Sequence, residues 1–172
     1  MNTEAPLHTY IVDASALSEK SRRVHDDVRA AGVDSPIHEL PASAHTAVAA
    51  AAALGCDVGA IGSSLLFLVD EEPLLVMTSG RHRVDTEVLA AAMGAEQAKM
   101  APAKLVKELT GQVIGGVAPV GHPVRIRTVV DDALRAYPTV WTAAGVANTV
   151  MPMTFENLVA LTDGTVITVS ND

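Results

Sequence analysis

The sequence contains few aromatic residues, a single cysteine and no long apolar run. Phe, Trp and Tyr make up 3% of the 172 residues, too few for the base-stacking surfaces that bind single-stranded nucleic acids. Cys56 has no second thiol, which excludes an internal disulfide and a cysteine-based zinc motif and favours a reducing cytoplasm. No stretch approaches the roughly 20 apolar residues of a membrane span, and residues 1–10 lack the apolar run of a signal peptide. We therefore expect a cytoplasmic protein that does not contact a membrane.

Acidic residues outnumber basic residues along most of the chain. Twelve Lys and Arg stand against 20 Asp and Glu, which gives a net charge of −8 and argues against general nucleic-acid coating and against DNA binding. Residues 81–127 differ, because seven bases and four acids give them +3 while the remainder carries −11. That stretch is interpreted either as an ordinary solvated surface or as the face of a phosphate-contacting groove. Any RNA contact must be local.

The pattern of apolar residues predicts one α+β domain. Apolar content of 49% and evenly spread turn signals favour a single domain over 1–172, with 1–41 as an N-terminal helix and strand region packed on it. Helical spacing predicts helices over 14–31, 44–54 with Ser43 as cap, 85–94, 102–109 and 155–161. Apolar runs and alternation predict strands over 60–69, 74–78, 124–130, 139–143 and 165–169. Because strands and helices do not alternate strictly, the sheet should be mixed.

The segment Thr110–Pro123 contains four glycines and two prolines in fourteen positions. Glycines let main-chain N–H groups approach a ligand closely, so this glycine-rich segment could form an anion or oxyanion pocket. It matches neither GxGxxG after a strand nor GxxxxGK[ST], so nucleotide binding by those motifs is not supported. A purely structural turn is the alternative interpretation.

The histidines and serines indicate no standard catalytic motif. Six histidines lack HxxxH or HExxH spacing, so we expect no metal. His45 and His122 are the better candidates for acid–base or hydrogen-bonding roles, although a lone histidine is more often structural. No GxSxG nucleophile elbow occurs. Ser63 and Ser64 open an apolar strand, where hydroxyl groups are unexpected unless they cap a turn or face a pocket.

Four segments of the chain together match one known family. They are Ser43-Ala44-His45-Thr46 before an alanine helix ending in Leu54-Gly55-Cys56, the strand at 61–67, Arg83-Val84-Asp85 at a helix start, and Thr110-Gly111 followed by Gly115-Gly116-Val117-Ala118-Pro119-Val120-Gly121. The last is the most specific, because the family's GxxxP motif falls on Gly115 and Pro119. From about residue 42 to 169 the chain resembles the YbaK/prolyl-tRNA-synthetase-associated domains, which hydrolyse mischarged aminoacyl-tRNA.

The resemblance implies a fold and a reaction. The fold is a mixed, mostly antiparallel sheet curled into a partial barrel with flanking helices. The reaction is trans-editing: water attacks the ester that joins a wrong amino acid to the 3′ end of a tRNA, a tRNAPro species by this resemblance, without metal or cofactor. The implied partners are the aminoacyl-tRNA 3′ end and a prolyl-tRNA synthetase. The catalytic candidates are Gly115, Gly116 and Ser63, and the substrate-binding candidates are His45, Thr46, Arg81, Asp85, Pro119, Gly121, His122 and Gly145.

Ser63 departs from the family pattern I-x-K-[ST]-L, in which a lysine occupies that position. A short neutral side chain cannot replace an ammonium group that reaches several ångströms further. Either another base, such as Arg81 or Arg83, supplies the charge, or the activity has been lost or changed. The alternatives to a deacylase are therefore a non-catalytic member that binds the same kind of ligand, and a structural or interaction domain whose glycine-rich segment is only a turn.

Overall fold

Nine strands and five helices follow one another along residues 9–171, the part of the chain that the computed structural model describes. The helices are α1 (Glu19–Ala30), α2 (Ala47–Leu54), α3 (Thr86–Ala92), α4 (Ala103–Thr110) and α5 (Phe155–Thr162). The strands are β1 (Tyr10–Ile11), β2 (His38–Glu39), β3 (Ile61–Val69), β4 (Glu72–Ser79), β5 (Ala98–Met100), β6 (Thr128–Asp131), β7 (Val140–Ala143), β8 (Thr149–Met153) and β9 (Thr165–Ile167). The expected α+β class is confirmed.

All nine strands belong to one open, mixed sheet. Their order is β1-β2-β8-β7-β3-β4-β6-β9, and β5 pairs separately with β3. The β3–β7, β4–β6 and β6–β9 pairs are parallel and the other pairs are antiparallel. The sheet is therefore mostly antiparallel with flanking helices, as the family resemblance implies, and it does not close.

The β3–β4 hairpin is the centre of the sheet. Its register runs from Gly62 opposite Ser79 to Val69 opposite Glu72. Asp70 and Glu71 form the two-residue loop with φ of 48° and 67°, the conformation whose twist matches the flanking strands. Burial on both faces explains the continuous apolar run of β3, because Leu66 packs in one hydrophobic cluster and Phe67 in another.

Helices cover both faces of this sheet. Buried residues of α1, α4 and α5 lie in the Leu66 cluster, for example Val28, Val106 and Leu158. Leu89 of α3 lies in the Phe67 cluster. A third cluster is formed by α2, β3 and β8. In the N-terminal region, α1 is packed in the Leu66 cluster and β2 pairs with β8, while residues 1–8 lie outside the described part of the chain.

Several boundaries differ from the predictions for local reasons. α2 begins three residues later than expected, since its N-cap is Thr46, whose hydroxyl accepts the Ala49 N–H at 3.1 Å. The first predicted helix is a 3₁₀ turn at Ala14–Ala16 followed by α1, which Ser18 caps. Of the strand predicted over 124–130, only the end forms a strand, as the start of β6 at Thr128. β5 and β8 were not predicted from the sequence, and no bounds were predicted for the strands of the N-terminal region, β1 and β2. β8 contains a proline, which weakens a strand pattern.

Candidate functional site

A cavity of about 490 Å³ lies beside the part of β3 that no described strand pairs with on one side. On that side β7 pairs only with Ile61 and Gly62, and β5 only with residues 67–69. The stretch 63–66 has only β4 beside it. The cavity is lined by this stretch, the start of α2, α4, the glycine-rich segment and the loop between β7 and β8. The sheet topology therefore creates the site.

Gly115 and Gly116 are both needed by the backbone, for different reasons. Gly115 is exposed, lines the cavity and has φ of +95°; its N–H donates to no acceptor within residues 9–171. Gly116 is buried, and a Cβ there would lie 2.6 Å from the Val146 carbonyl carbon. The Gly116 N–H donates to the Val113 carbonyl, and the Gly116 carbonyl accepts from the Gly145 N–H at 2.9 Å. Gly116 therefore fixes the segment, and Gly115 offers the free donor.

Gln112 holds the arch of the glycine-rich segment from inside. This fully buried side chain accepts the Ala118 N–H at 2.7 Å and donates to the Val120 carbonyl at 3.3 Å. The two bonds span residues 113–117 and set the curvature that brings Gly115 to the cavity. Sequence analysis missed Gln112, although a glutamine within an apolar, glycine-rich segment is a detectable signal of a buried polar partner.

The cavity lining among residues 9–171 is mostly apolar and contains a few polar side chains. None of the lining residues is Asp, Glu, Lys or Arg. The exposed residues His45 and Thr46 lie at the start of α2, with the Thr46 hydroxyl engaged in capping. Ser63 and Asn148 are half-buried and also line the cavity. Of the predicted site residues, His45, Thr46, Ser63 and Gly115 are thus brought together.

Pro119, Gly121 and His122 line a second cavity of about 380 Å³, beside α1 and α5. The Gly121 N–H donates to the Asp27 carboxylate at 3.0 Å, and His122 Nε2 lies 2.8 Å from the Ala118 carbonyl. Burial lowers the pKa of His122, outweighing the opposite effects of that hydrogen bond and of Asp27. These three predicted substrate-binding residues are separate from the Gly115 cavity.

Arg81, Asp85 and Gly145 line neither cavity. Asp85 caps α3 by accepting the Glu87 and Val88 N–H groups. Arg81 is exposed and follows Gly80, where a Cβ would be 3.1 Å from Ala47 of α2. Gly145 supports the glycine-rich segment through its bond to Gly116.

Residues 9–171 contain neither a membrane-spanning helix nor a metal-binding cluster. No helix there is long and apolar enough to cross a membrane. The same residues hold no group of three or more His, Cys, Asp or Glu side chains arranged to bind a metal ion.

Comparisons with known proteins agree with this architecture. Proline–tRNA ligase of Listeria innocua is 32% identical over 72 residues, which are 42% of this chain and 13% of the ligase. The chain therefore matches only a small part of that enzyme. The uncharacterized protein YwhH of Bacillus subtilis is 25% identical over 126 residues, covering 73% of this chain and 80% of that protein.

A solved structure gives a longer match. The crystal structure of a proposed trans-editing enzyme for prolyl tRNA synthetase superimposes with a TM-score of 0.85 and 36% identity, covering 91% of this chain and all of that one. The family model of the aminoacyl-tRNA editing domain matches residues 41–161, which are 121 of the 172 residues. This segment includes the whole lining of the Gly115 cavity except Leu40. The chain belongs to the aminoacyl-tRNA editing domain family.

Proposed function

We propose that this protein hydrolyses the ester of a mischarged aminoacyl-tRNA, with a tRNAPro species as the substrate. The observation that carries the proposal is the Gly115 N–H, which has no acceptor within residues 9–171 and lies at the mouth of a cavity that none of the Asp, Glu, Lys or Arg residues of that range lines. A main-chain donor in such a place can stabilise the negative charge that develops on an acyl oxygen during hydrolysis. The family match and the trans-editing structural neighbour support the same reaction class.

The reaction needs no covalent intermediate. The oxygen of a water molecule bonds to the acyl carbon, the bond from that carbon to the ribose oxygen breaks, and the released ribose oxygen takes up the proton that the water loses and becomes a hydroxyl group. The protein's part is to hold the acyl group near Gly115 and to keep the donor in place through Gly116 and Gln112. Catalysis of this kind rests on position and on preorganised dipoles.

The tRNA would approach from the side of α2. His45 and Thr46 are exposed at the rim of the cavity, and Arg81 lies beyond them in sequence but next to α2 in space. A base at this rim could neutralise a phosphate near the 3′ end, a contact that salt weakens. We further propose that the protein acts in the cytoplasm on tRNA released by a prolyl-tRNA synthetase.

Ser63 favours a second candidate function, binding without turnover. It lines the cavity at the position where the family pattern has lysine, and none of the lining residues within 9–171 is Lys or Arg. Substitution Ser63→Lys distinguishes the two functions. Activity that appears only in this variant would mean that the natural chain binds its ligand without hydrolysing it.

The test of the proposal is deacylation of a panel of mischarged tRNAs. Ala-, Cys- and Ser-tRNAPro are incubated with the wild-type protein and with Gly115→Val, and loss of the aminoacyl ester is followed. We expect turnover of at least one substrate by the wild type and about 100-fold less in the variant. Valine strains the backbone at φ of +95° and displaces the main-chain donor, and loss of one oxyanion donor has effects of roughly 100- to 1,000-fold.

Gly94→Val is the matched control. Gly94 also has positive φ, +65°, has no atom within 4 Å of the point where a Cβ would lie, and lines neither cavity. It therefore also places a valine at positive φ, without touching the site, and its activity should equal that of the wild type. Wild-type turnover by Gly115→Val would refute the main-chain donor mechanism. Absence of turnover across the panel, with tRNA binding retained, would favour the non-catalytic function.

A further inference from the structure

On its cavity side, β3 has no paired strand along residues 63–66 within the described part of the chain. Toward β4 its ladder is continuous from Gly62 to Val69. On the other side, β7 ends its pairing at Gly62 and β5 begins at Phe67. The edge of β3 between these two ladders, at residues 63–66, therefore faces the cavity inside the protein.

The direction of the main-chain groups follows from two hydrogen bonds. The Ile61 carbonyl accepts from Gly80, the residue after β4, at 2.8 Å, so the groups of odd-numbered residues in β3 point toward β4. The Leu66 carbonyl accepts the Ala101 N–H at 3.0 Å on the opposite side. Because main-chain direction alternates along a strand, the N–H and carbonyl of Ser64 and the N–H of Leu66 point into the gap.

None of these three groups has a partner within residues 9–171. The β7 and β5 ladders do not reach them, and no loop or side-chain bond is made to them. Leu66 is 3% exposed and Ser64 is half-buried. Buried main-chain groups are nearly always paired, since an unpaired one costs about 1–3 kcal/mol. The edge thus needs a polar partner.

Asn148 adds an acceptor to the same cavity. Its side-chain Oδ1 is buried without a hydrogen-bond partner. The residue has φ of +65° in the loop between β7 and β8, and its main-chain carbonyl is already bonded to Leu40 at 2.7 Å. The side-chain oxygen therefore remains for a ligand that donates hydrogen bonds.

We propose that the Ser64 main chain and the Asn148 side chain bind the amino-acid part of the substrate as a one-residue extension of the sheet. This inference rests on the proposed function. The Ser64 carbonyl and Asn148 Oδ1 accept hydrogen bonds from the α-ammonium group of the substrate. The Ser64 N–H donates a hydrogen bond to the acyl oxygen of the same substrate. An antiparallel residue pair exchanges the same two bonds.

This arrangement explains how an ammonium group is held without a carboxylate. No Asp or Glu lines the cavity, so the charge must be bound by neutral oxygens, and hydrogen bonds to charged groups are the stronger kind. Recognition through the main chain is independent of the substrate side chain. Selection among amino acids is then left to the apolar lining, and an acyl group that lacks the α-ammonium should bind poorly.

The test compares two stable amide analogues, 3′-(L-alanylamino)-3′-deoxyadenosine and its propionyl counterpart, which lacks the amino group. Affinities are measured by calorimetry for the wild type, for Asn148→Gly, which keeps the positive φ without strain, and for the control Asn157→Gly. Asn157 is exposed on α5, outside the cavity. We expect the wild type to bind the alanyl analogue about tenfold or more tightly than the propionyl analogue. Asn148→Gly should reduce that preference, whereas Asn157→Gly should retain it.

Amide hydrogen exchange measured by NMR tests the proposed main-chain hydrogen bond of Ser64 without any substitution. In the free protein, the Ser63 and Leu65 amides should be protected by the β4 ladder and the Ser64 amide should exchange faster. The alanyl analogue should slow exchange at Ser64 and leave the ladder amides unchanged. Equal affinity for both analogues, or unchanged Ser64 exchange in the bound state, overturns the inference.

The deacylation assay separates this inference from the proposed function. Turnover that depends on Gly115 in a protein whose Ser64 amide does not respond to the analogue would overturn the sheet-extension inference alone. Failure of the wild type to bind either analogue or to deacylate any substrate would overturn both.

Discussion

Gly116 has no room for a side chain, so Gly116→Ala tests how the glycine-rich segment is held. An ideal Cβ would lie 2.6 Å from the Val146 carbonyl carbon and 2.8 Å from the Ala147 nitrogen, whereas ordinary contact begins at 3.4 Å. The two backbones must therefore separate by about 0.8 Å. The 2.9 Å bond from the Gly145 N–H to the Gly116 carbonyl would lengthen to about 3.7 Å, which is beyond hydrogen-bonding distance.

The expected stability loss follows from these changes. Losing the hydrogen bond removes about 1 kcal/mol, and the overpacked Cβ adds about 1–3 kcal/mol. For a chain of this size the sum of about 2–4 kcal/mol lowers Tm by roughly 4–16 °C. Because the shift moves Gly115 as well, deacylation at 25 °C should fall about 100-fold, as a misplacement near 1 Å can do.

The assay pairs a thermal melt by circular dichroism with the deacylation rate, and Gly94→Ala is the control. Strain at the positive φ of Gly94 lowers Tm without moving the cavity, so that variant should keep its activity. A Gly116→Ala protein with wild-type Tm would show that the loops separate at no cost and would refute the packing argument. Lower Tm with wild-type deacylation would refute the link from Gly116 to Gly115.

The remaining predictions concern buried polar groups outside the Gly115 cavity. Asp131 is 1% exposed and accepts hydrogen bonds from Ser79 N–H at 3.0 Å and from His82 Nδ1 at 2.9 Å. Asp131→Ala should lower the free energy of unfolding in urea by about 3 kcal/mol or more, whereas Asp132→Ala, at an exposed ion pair, should lower it by less than about 1 kcal/mol; similar losses would contradict the assigned network. Burial lowers the pKa of His122 in the folded protein, so the unfolded chain binds the proton more readily and stability falls as pH drops through about 6.5. His122→Gln should lose less stability than the wild type between about pH 7 and 5, and an unchanged slope would exclude His122 as a contributor.

Local sequence signals predicted most helices and the central hairpin. The helices predicted over 85–94 and 155–161 are α3 and α5, which Asp85 and Thr154 cap through side-chain bonds to N–H groups within three residues. The cap of α2 was predicted wrongly at Ser43, because Ser43 and Thr46 both precede the apolar run and only the folded chain decides where the helix begins. The strand predicted over 124–130 starts only at Thr128, where parallel pairing with Leu75 of β4 begins.

The site was predictable where a residue type limits the backbone and unpredictable where distant segments meet. Glycine content indicated that residues 110–123 adopt a special main-chain shape, and Gly115 does line the cavity with positive φ. Nothing local separates Pro119 and His122 from Gly115, yet Gln112 bends the segment so that its two halves line different cavities. Asn148 was missed because a single asparagine in a loop has no distinctive spacing.

By itself, the sequence determined the α+β class and the glycine-rich segment, because apolar periodicity and glycine positions constrain the backbone over a few residues. The family was indicated by the resemblance of four motif segments. Only the tertiary structure decided that β7 and β5 stop pairing with β3 at different points, so that the main-chain N–H and carbonyl of Ser64 face a cavity without a partner in residues 9–171. Strand pairing joins residues about 80 positions apart in the chain, such as Gly62 and Thr142. The place where that pairing stops depends on the packing of the whole sheet, and no local pattern records it.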